Sequence, residues 1–126
     1  NPFGVTDETS LHNYLGLVFD KVPWMPRNVA RLMVRQRIAQ AGFEQGILDS
    51  IGRSEEAFLP EQEAAAIRAP TLLLWCRGDR VIDASAAAIY AAKIPDNRIV
   101  LMDGASHMPM FECKAATVAA LKEFLQ

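Results

Sequence analysis

The feature that most constrains the fold is a short apolar run, Thr71-Leu72-Leu73-Leu74-Trp75-Cys76, which lies between Pro70 and Gly78. A strand with one face in water alternates apolar and polar residues, and this run offers no polar face. Such a pattern suits a strand that is covered on both faces, as in a parallel sheet. The run therefore predicts an interior strand of an α/β protein.

The residues after this run predict a β-α-β unit. Ala84 to Lys93 forms an Ala-rich helix that Asp83 can cap at its N-terminus, and Arg98 to Asp103 forms a second strand after a Pro-Asp-Asn turn. A last helix from Phe111 to Gln126 follows. We expect that helix to bury one apolar face, made of Phe111, Ala115, Val118, Leu121 and Leu125.

The residues before Pro70 read as helices only. The first helix opens near Thr6 or Asp7 and carries an apolar stripe. A second helix, with Pro26 at its first position, ends by Gly42, and a third runs from Phe43 to about Ile51. Ser54 caps a further short helical stretch, Pro60 interrupts it, and Glu61 to Ile67 forms one more short helix. The chain thus divides into an all-helical segment, residues 1–69, and a β-α-β-α segment, residues 70–126.

Composition excludes several classes of function. Of the 126 residues, 51% are apolar and 22% charged, and the net charge is -2, which suits a globular protein and gives no attraction to nucleic acid. No run of about 18 apolar residues is present to span a membrane. With two histidines outside any metal-binding spacing and no Gly-rich phosphate loop, neither a metal nor a cofactor is predicted. Localisation stays open: cytoplasmic, or secreted or membrane-associated if a signal preceded Asn1.

Two cysteines are too few for a disulfide framework. They are Cys76 and Cys113, and they are not in a Cys-x-x-Cys arrangement. Free cysteine is among the most buried residue types. We therefore expect both to be buried small apolar residues.

Two loops carry the candidate chemistry, because ligands and catalytic groups collect at the carboxyl ends of parallel strands. Asp79 follows the first strand and His107 follows the second. A carboxylate beside an imidazole fixes its tautomer and stabilises the imidazolium, so the pair can activate a nucleophile. On the residues alone, a structural role for the histidine stays open as well.

The two loops belong to three longer stretches whose order and spacing together are specific. They are Ala69 to Trp75, Gly78-Asp79-Arg80-Val81-Ile82-Asp83, and Gly104-Ala105-Ser106-His107-Met108-Pro109-Met110-Phe111-Glu112. With them, residues 67–125 resemble the C-terminal part of α/β-hydrolases. The resemblance implies the last two parallel strands of that fold with flanking helices, preceded by an all-helical cap. It also implies that Asp79 is the acid and His107 the base of a catalytic triad. Cys76 departs from the usual Gly after the Trp, and Cys113 from the Pro that often follows the Glu.

The front of the chain is similar to the cap of bacterial lipases related to monoacylglycerol lipases. This similarity rests on Asn1-Pro2-Phe3-Gly4 and on the stretch from Val18 to Pro26. It implies a set of substrate-binding candidates: Phe19, Trp24, Met25, Met33, Val34 and Met108. The alternative is that these are ordinary contacts between cap helices and core.

The nucleophile is missing from the sequence. In this family a Gly-x-Ser-x-Gly elbow presents the serine to the histidine, and no such motif occurs here. Ser106 lacks the second Gly, and we expect it to hold its own loop by hydrogen bonding. Asp83 is better explained as a helix cap than as the triad acid, and Glu112, near the start of the last helix, as a structural group that favours the helix dipole. Because elbow and oxyanion hole precede the cap in this family, we expect them upstream of Asn1.

These resemblances lead to one functional expectation and its alternatives. The parent protein is expected to be a serine-type lipase or esterase acting on lipid-like esters, and this chain alone to be inactive. The alternatives are a haloalkane dehalogenase, an epoxide hydrolase, a C-C hydrolase, or a non-catalytic fragment. Two strands leave a sheet edge and an apolar face uncovered, so we expect association with the missing N-terminal half or with copies of the chain.

Overall fold

The computed structural model describes residues 3–126, so the first two residues of the predicted helical segment 1–69 lie outside the described residues. Short 3-10 turns occupy Glu55–Phe58 and Ala64–Ala66. The other elements, in chain order, are α1 (Glu8–Val18), α2 (Arg27–Gly52), α3 (Leu59–Glu63), β1 (Thr71–Cys76), α4 (Ser85–Ala91), β2 (Asn97–Met102), α5 (Pro109–Glu112) and α6 (Lys114–Phe124). Helices therefore precede a β-α-β-α arrangement, as the sequence predicted.

The two strands form the predicted parallel pair. Their register runs from Thr71 opposite Asn97 to Cys76 opposite Met102. β1 has the predicted bounds, and β2 begins and ends one residue earlier than predicted. Because both strands run in one direction, the loops that follow them leave the same edge of the sheet.

Helix α1 begins at a reciprocal cap, close to the predicted position. The Ser10 backbone N–H donates to Asp7 Oδ1 at 2.7 Å, and the Ser10 hydroxyl accepts from the Asp7 N–H at 3.0 Å. This arrangement satisfies two N–H groups that a helix start would otherwise leave unpaired. One face of α1 then buries Leu11 and Leu15 against Val5, and this cluster forms the core of the helical segment.

Helix α2 corrects two predictions. It is one continuous helix through Gly42 rather than two helices that meet there, and Pro26 is its N-cap rather than its first residue. A helical glycine costs only about 1 kcal/mol relative to alanine, which the flanking turns outweigh when no proline follows. Pro60 likewise does not interrupt: it lies in the first turn of α3, where its missing N–H is not needed.

The C-terminal helix also differs from the prediction. It is split at Cys113 into α5 and α6, and Ala120 is its buried residue. The apolar side chains expected to be buried stay exposed, namely Phe111, Ala115, Val118, Leu121 and Leu125. Likewise β1 pairs only with β2 among residues 3–126 and is half-buried except at Cys76, so it is not the interior strand that its composition predicts. Burial of such a stripe needs a covering layer, and no element of the described chain supplies it.

No helix within residues 3–126 combines the length and hydropathy needed to cross a membrane. In the same part of the chain, no group of three or more His, Cys, Asp and Glu side chains is arranged to hold a metal ion.

Candidate active site

Two glycines shape the loops that carry the candidate residues. Gly104, just after β2, has a φ of 81°, a backbone conformation that residues with a side chain rarely adopt. Gly78, just after β1, lies so close to the neighbouring loop that a Cβ atom would be 3.2 Å from the Ala105 carbonyl oxygen. The Arg77 N–H also donates to the Met102 carbonyl at 2.9 Å. The loops after β1 and β2 are therefore packed against each other, backbone to backbone.

This packing brings Asp79 and His107 together. His107 Nδ1 lies 2.9 Å from Asp79 Oδ2, and the side chains are 37% and 7% exposed, respectively. The other carboxylate oxygen, Oδ1, accepts from the backbone N–H groups of Val81 at 2.8 Å and Ile82 at 3.0 Å. The carboxylate is thus fixed by its own loop and presents one oxygen to the imidazole.

The environment keeps this carboxylate ionised. Partial burial by itself would raise the pKa of Asp79, but the hydrogen bonds from the His107 ring and from the Ile82 and Val81 N–H groups outweigh it and lower that pKa. An ionised carboxylate can only accept, so Nδ1 carries the hydrogen and Nε2 presents a lone pair. Nε2 has no hydrogen-bond partner among residues 3–126. The arrangement can accept a proton at Nε2 and stabilise the resulting imidazolium.

Asp83, the other carboxylate of this loop, lies one residue before Ala84, which is the N-cap of α4. Its Oδ1 accepts from the Ser85 N–H at 2.9 Å, and the hydrogen bonds from Ser85 lower the pKa of Asp83. Asp83 therefore binds an N–H of the first turn of α4, but it is not the N-cap that the sequence predicts.

A mainly apolar cavity of about 350 Å³ adjoins the pair. It is lined on the strand side by Leu74 and Trp75, beside the acid by Ile82, and on the helix side by Met110 and Leu121. An apolar group could therefore lie next to the imidazole. None of these five lining residues was a substrate-binding candidate from the sequence, because they belong to separate elements with no shared spacing.

The predicted substrate-binding residues lie elsewhere in the described chain. Four of them pack against the Leu11–Leu15 core of α1: Phe19, Met25, Met33 and Val34. A second cavity, of about 430 Å³, is lined by Trp24 and Met25 together with α1. Trp24 is 88% exposed, and Met108 is half-buried beside His107. None of the six lines the cavity at the imidazole.

Ser106 and Glu112 hold the His107 loop. Ser106 is fully buried, and its hydroxyl donates to the Leu17 carbonyl at 2.7 Å and accepts from the Arg80 N–H at 3.2 Å, which confirms a loop-holding role. Glu112 was expected to favour the start of the last helix. Instead it ends α5, and its carboxylate accepts from the N–H groups of Lys21 and Ser106, each at 3.0 Å.

The two cysteines are free thiols. Cys76 is buried, and burial, followed by the charge of Asp79, raises the pKa of its thiol. Cys113 is half-buried, rather than buried as predicted, and its thiol donates to the Asp103 carbonyl at 3.3 Å. Neither contacts the Asp79–His107 pair through a hydrogen bond.

Comparison with known proteins gives relatives of one kind. No protein-family model matches the chain. Lipase 3 of a Moraxella species is 26% identical over 98% of the chain and 39% of its own length. The monoacylglycerol lipase ABHD6 of Bos taurus is 25% identical over 80% of the chain and 30% of its own length. The chain thus spans less than half the length of the curated relatives it matches.

Solved structures of a phospholipase, a lipase and a meta-cleavage product hydrolase share the fold of the chain. The crystal structure of a membrane phospholipase A, a bacterial virulence factor, superposes with a TM-score of 0.81 at 28% identity. The superposition covers 99% of the chain and 40% of that protein. Together with the paired strands and their two loops, these similarities show that the chain has the fold of the C-terminal part of an α/β-hydrolase.

Proposed function

We propose that the protein hydrolyses carboxylic esters through a Ser-His-Asp triad, with Asp79 and His107 as two of its members. The observation that carries this proposal is the 2.9 Å contact between His107 Nδ1 and Asp79 Oδ2, with Nε2 left free beside an apolar cavity. The third member, a serine, is proposed to come from a part of the protein outside this chain. The lipases and monoacylglycerol lipases among the relatives support the choice of ester over other bonds.

In the proposed reaction His107 moves protons between nucleophile, leaving group and water. Nε2 accepts the proton of the serine hydroxyl as the serine oxygen attacks the ester carbonyl. The ionised Asp79 stabilises the imidazolium, which then gives the proton to the departing alcohol and leaves an acyl-enzyme. Water, deprotonated by the same nitrogen, attacks the acyl-enzyme. The imidazolium returns this proton to the serine oxygen as the bond between serine and the acyl group breaks, which releases the carboxylic acid and restores the free serine and neutral His107.

The substrate is proposed to be an ester with a lipid-like acyl chain. The lining of the cavity at His107 is mainly apolar, which suits a hydrocarbon group. Trp24, Met25 and Met108 remain candidates for substrate contact, because Trp24 and Met25 line the second cavity and Met108 follows His107 in the chain. Phe19, Met33 and Val34 pack within the helical core, which favours a structural role for them.

Hydrolysis of a nitrophenyl ester tests this function. The protein that contains this chain together with its elbow should be active, and His107→Ala should lower kcat at least about a thousand-fold. Arg98→Ala is the control, since Arg98 pairs with Glu123 and lines neither of the two cavities, and it should retain activity. Unchanged turnover in His107→Ala would contradict the triad role. Turnover by this chain alone, lost in His107→Ala, would contradict an external nucleophile.

The residue at the elbow separates ester hydrolysis from the related reactions. A serine there is required by the proposal, and an aspartate would instead indicate a haloalkane dehalogenase or an epoxide hydrolase. A C-C hydrolase also uses serine, so turnover of an ester in preference to a C-C substrate is the distinguishing result.

We also propose that the exposed apolar face of α6 and the open edge of β1 are covered by the N-terminal half of the hydrolase. The chain in isolation would then associate with itself through these surfaces. Light scattering at high concentration tests this, and a strictly monomeric species would contradict it.

A further inference from the structure

The C-terminal end of α1 has no local cap. The last four carbonyl groups of a helix lack partners within the helix, and helices commonly end in a glycine turn or a basic residue that satisfies them. Here α1 ends at Val18 with an extended Phe19 and no basic residue in its last turn. Only the Leu15 carbonyl is paired locally, with the Phe19 N–H at 2.8 Å.

The remaining carbonyls are bound by the two loops of the candidate site. The Gly16 carbonyl accepts from Arg80 Nη1 at 2.8 Å, and the Leu17 carbonyl accepts from the Ser106 hydroxyl at 2.7 Å. The Val18 carbonyl accepts from the backbone N–H of His107 itself at 2.9 Å. The helix end is therefore completed by residues next to, or part of, the Asp79–His107 pair.

Charge reinforces this junction. The Arg80 guanidinium lies at the negative end of the α1 dipole and pairs with Asp20 at 2.9 Å. Burial alone would raise the pKa of Glu112, but hydrogen bonds from the Lys21, Ser106 and Asp20 N–H groups, with the charge of Arg80, outweigh it and lower that pKa. An ionised Glu112 thus clamps the segment after α1 to the His107 loop.

We propose that Arg80, Ser106 and Glu112 are positioning residues that hold the imidazole of His107 in register with Asp79 by fixing both loops to the end of α1. The inference rests on the proposed function and adds residues to it. Arg80 follows Asp79 directly, and its N–H donates to Ser106, which precedes His107. Movement of the α1 end would therefore shift the backbone of the base while Asp79 stays bound to its own loop.

The ring nitrogens of His107 report this positioning directly. In nitrogen-labelled protein, at a pH where imidazole is neutral, the signals should show the hydrogen on Nδ1. His12→Gln distinguishes the two histidines. Arg80→Gln and Glu112→Gln should move the His107 signals toward the mixture of tautomers found in free imidazole. The matched control is Arg98→Gln, at the opposite end of β2 from the His107 loop. It removes a cation that is 46% exposed, against 48% for Arg80, and that pairs with Glu123 of α6.

Kinetics on the protein that contains the chain and its elbow provide a second readout. Loss of register should lower kcat about 10- to 100-fold with little change in KM, because only the geometry of proton transfer is altered. Arg80→Lys keeps the charge, so it should recover part of the loss in kcat and part of the change in the His107 ring signals. It replaces Arg80→Gln in both measurements if that variant does not fold. The inference would be overturned if Arg80→Gln and Glu112→Gln fold and their His107 signals match those of the parent. It would also be overturned if the signals move as much in Arg98→Gln. Signals that move as expected in a protein that hydrolyses no ester would refute the proposed function alone.

Discussion

Replacement of Ser106 by alanine should destabilise the protein far more than the removal of a single oxygen atom suggests. The side chain is fully buried, and its hydroxyl is the partner of the Leu17 carbonyl and of the Arg80 N–H. Ser106→Ala would leave both part-buried backbone groups without these partners. An unpaired buried group costs about 1–3 kcal/mol, and two groups that are only part-buried fall in the lower part of that range, so we expect the free energy of unfolding to fall by about 2–4 kcal/mol. For a chain of this size that lowers the Tm by about 8–16 °C.

Urea unfolding followed by circular dichroism measures this loss, with thermal unfolding as a second probe. Ser54→Ala is the control, because the Ser54 hydroxyl donates to the Ile51 carbonyl at 3.3 Å, and that carbonyl also accepts from the Ser54 N–H. It should cost less than about 0.5 kcal/mol. A loss of less than about 1 kcal/mol for Ser106→Ala would refute the reasoning, since it would mean that the two groups find other partners.

Three further changes test the fold and the site. Because the pKa of Asp79 is lowered in the folded state, its carboxylate stabilises the folded protein at pH values above the ordinary aspartate pKa of about 4. This contribution is lost as the pH falls through the lowered pKa. Thermal unfolding across pH should therefore show that Asp79→Asn is less stable than the parent near neutrality and equally stable in acid, with the exposed Asp96→Asn as control. Gly104→Ala should cost about 1–2 kcal/mol because of its positive φ, whereas Gly42→Ala, in open space within α2, should stabilise by about 0.5–1 kcal/mol, both by urea unfolding. Leu11→Ala should cost about 2–5 kcal/mol by the same measurement, and a smaller loss would contradict its place in the core.

The strands and their loops could be predicted because short-range rules determine them. Pro70 and Gly78 bracket a short apolar run whose length and flanking residues favour a strand, and the bounds of β1 match this prediction to the residue. Parallel pairing then requires that the loops after β1 and β2 share one edge of the sheet, which brings Asp79 and His107 together. Both steps need only residue order and strand direction.

The contacts around α1 could not be predicted in the same way. Ser106 binds Leu17, and Glu112 binds Lys21, across 89 and 91 residues, and no spacing rule connects such positions. The continuity of α2 depends on a small balance at Gly42 between the cost of glycine and the helical preference of its neighbours. The exposed face of α6 has the apolar spacing of a buried helix face. Such spacing predicts that the face is buried, but it does not identify the element that buries it.

The way the loops complete α1 also has a consequence for the order of folding. Thr71 and Asn97 pair through a short crossover, whereas the contacts of α1 with the Asp79 and His107 loops close spans of 64 to 89 residues. Closing a longer span costs more chain entropy, and contacts of this kind form late and open first. The strand pair should therefore retain its amide hydrogens longest, and the His107 amide, whose acceptor is the Val18 carbonyl, should exchange whenever the helix end detaches. Hydrogen exchange at that single amide would measure how often the His107 backbone, and with it the candidate base, leaves its position at the end of α1.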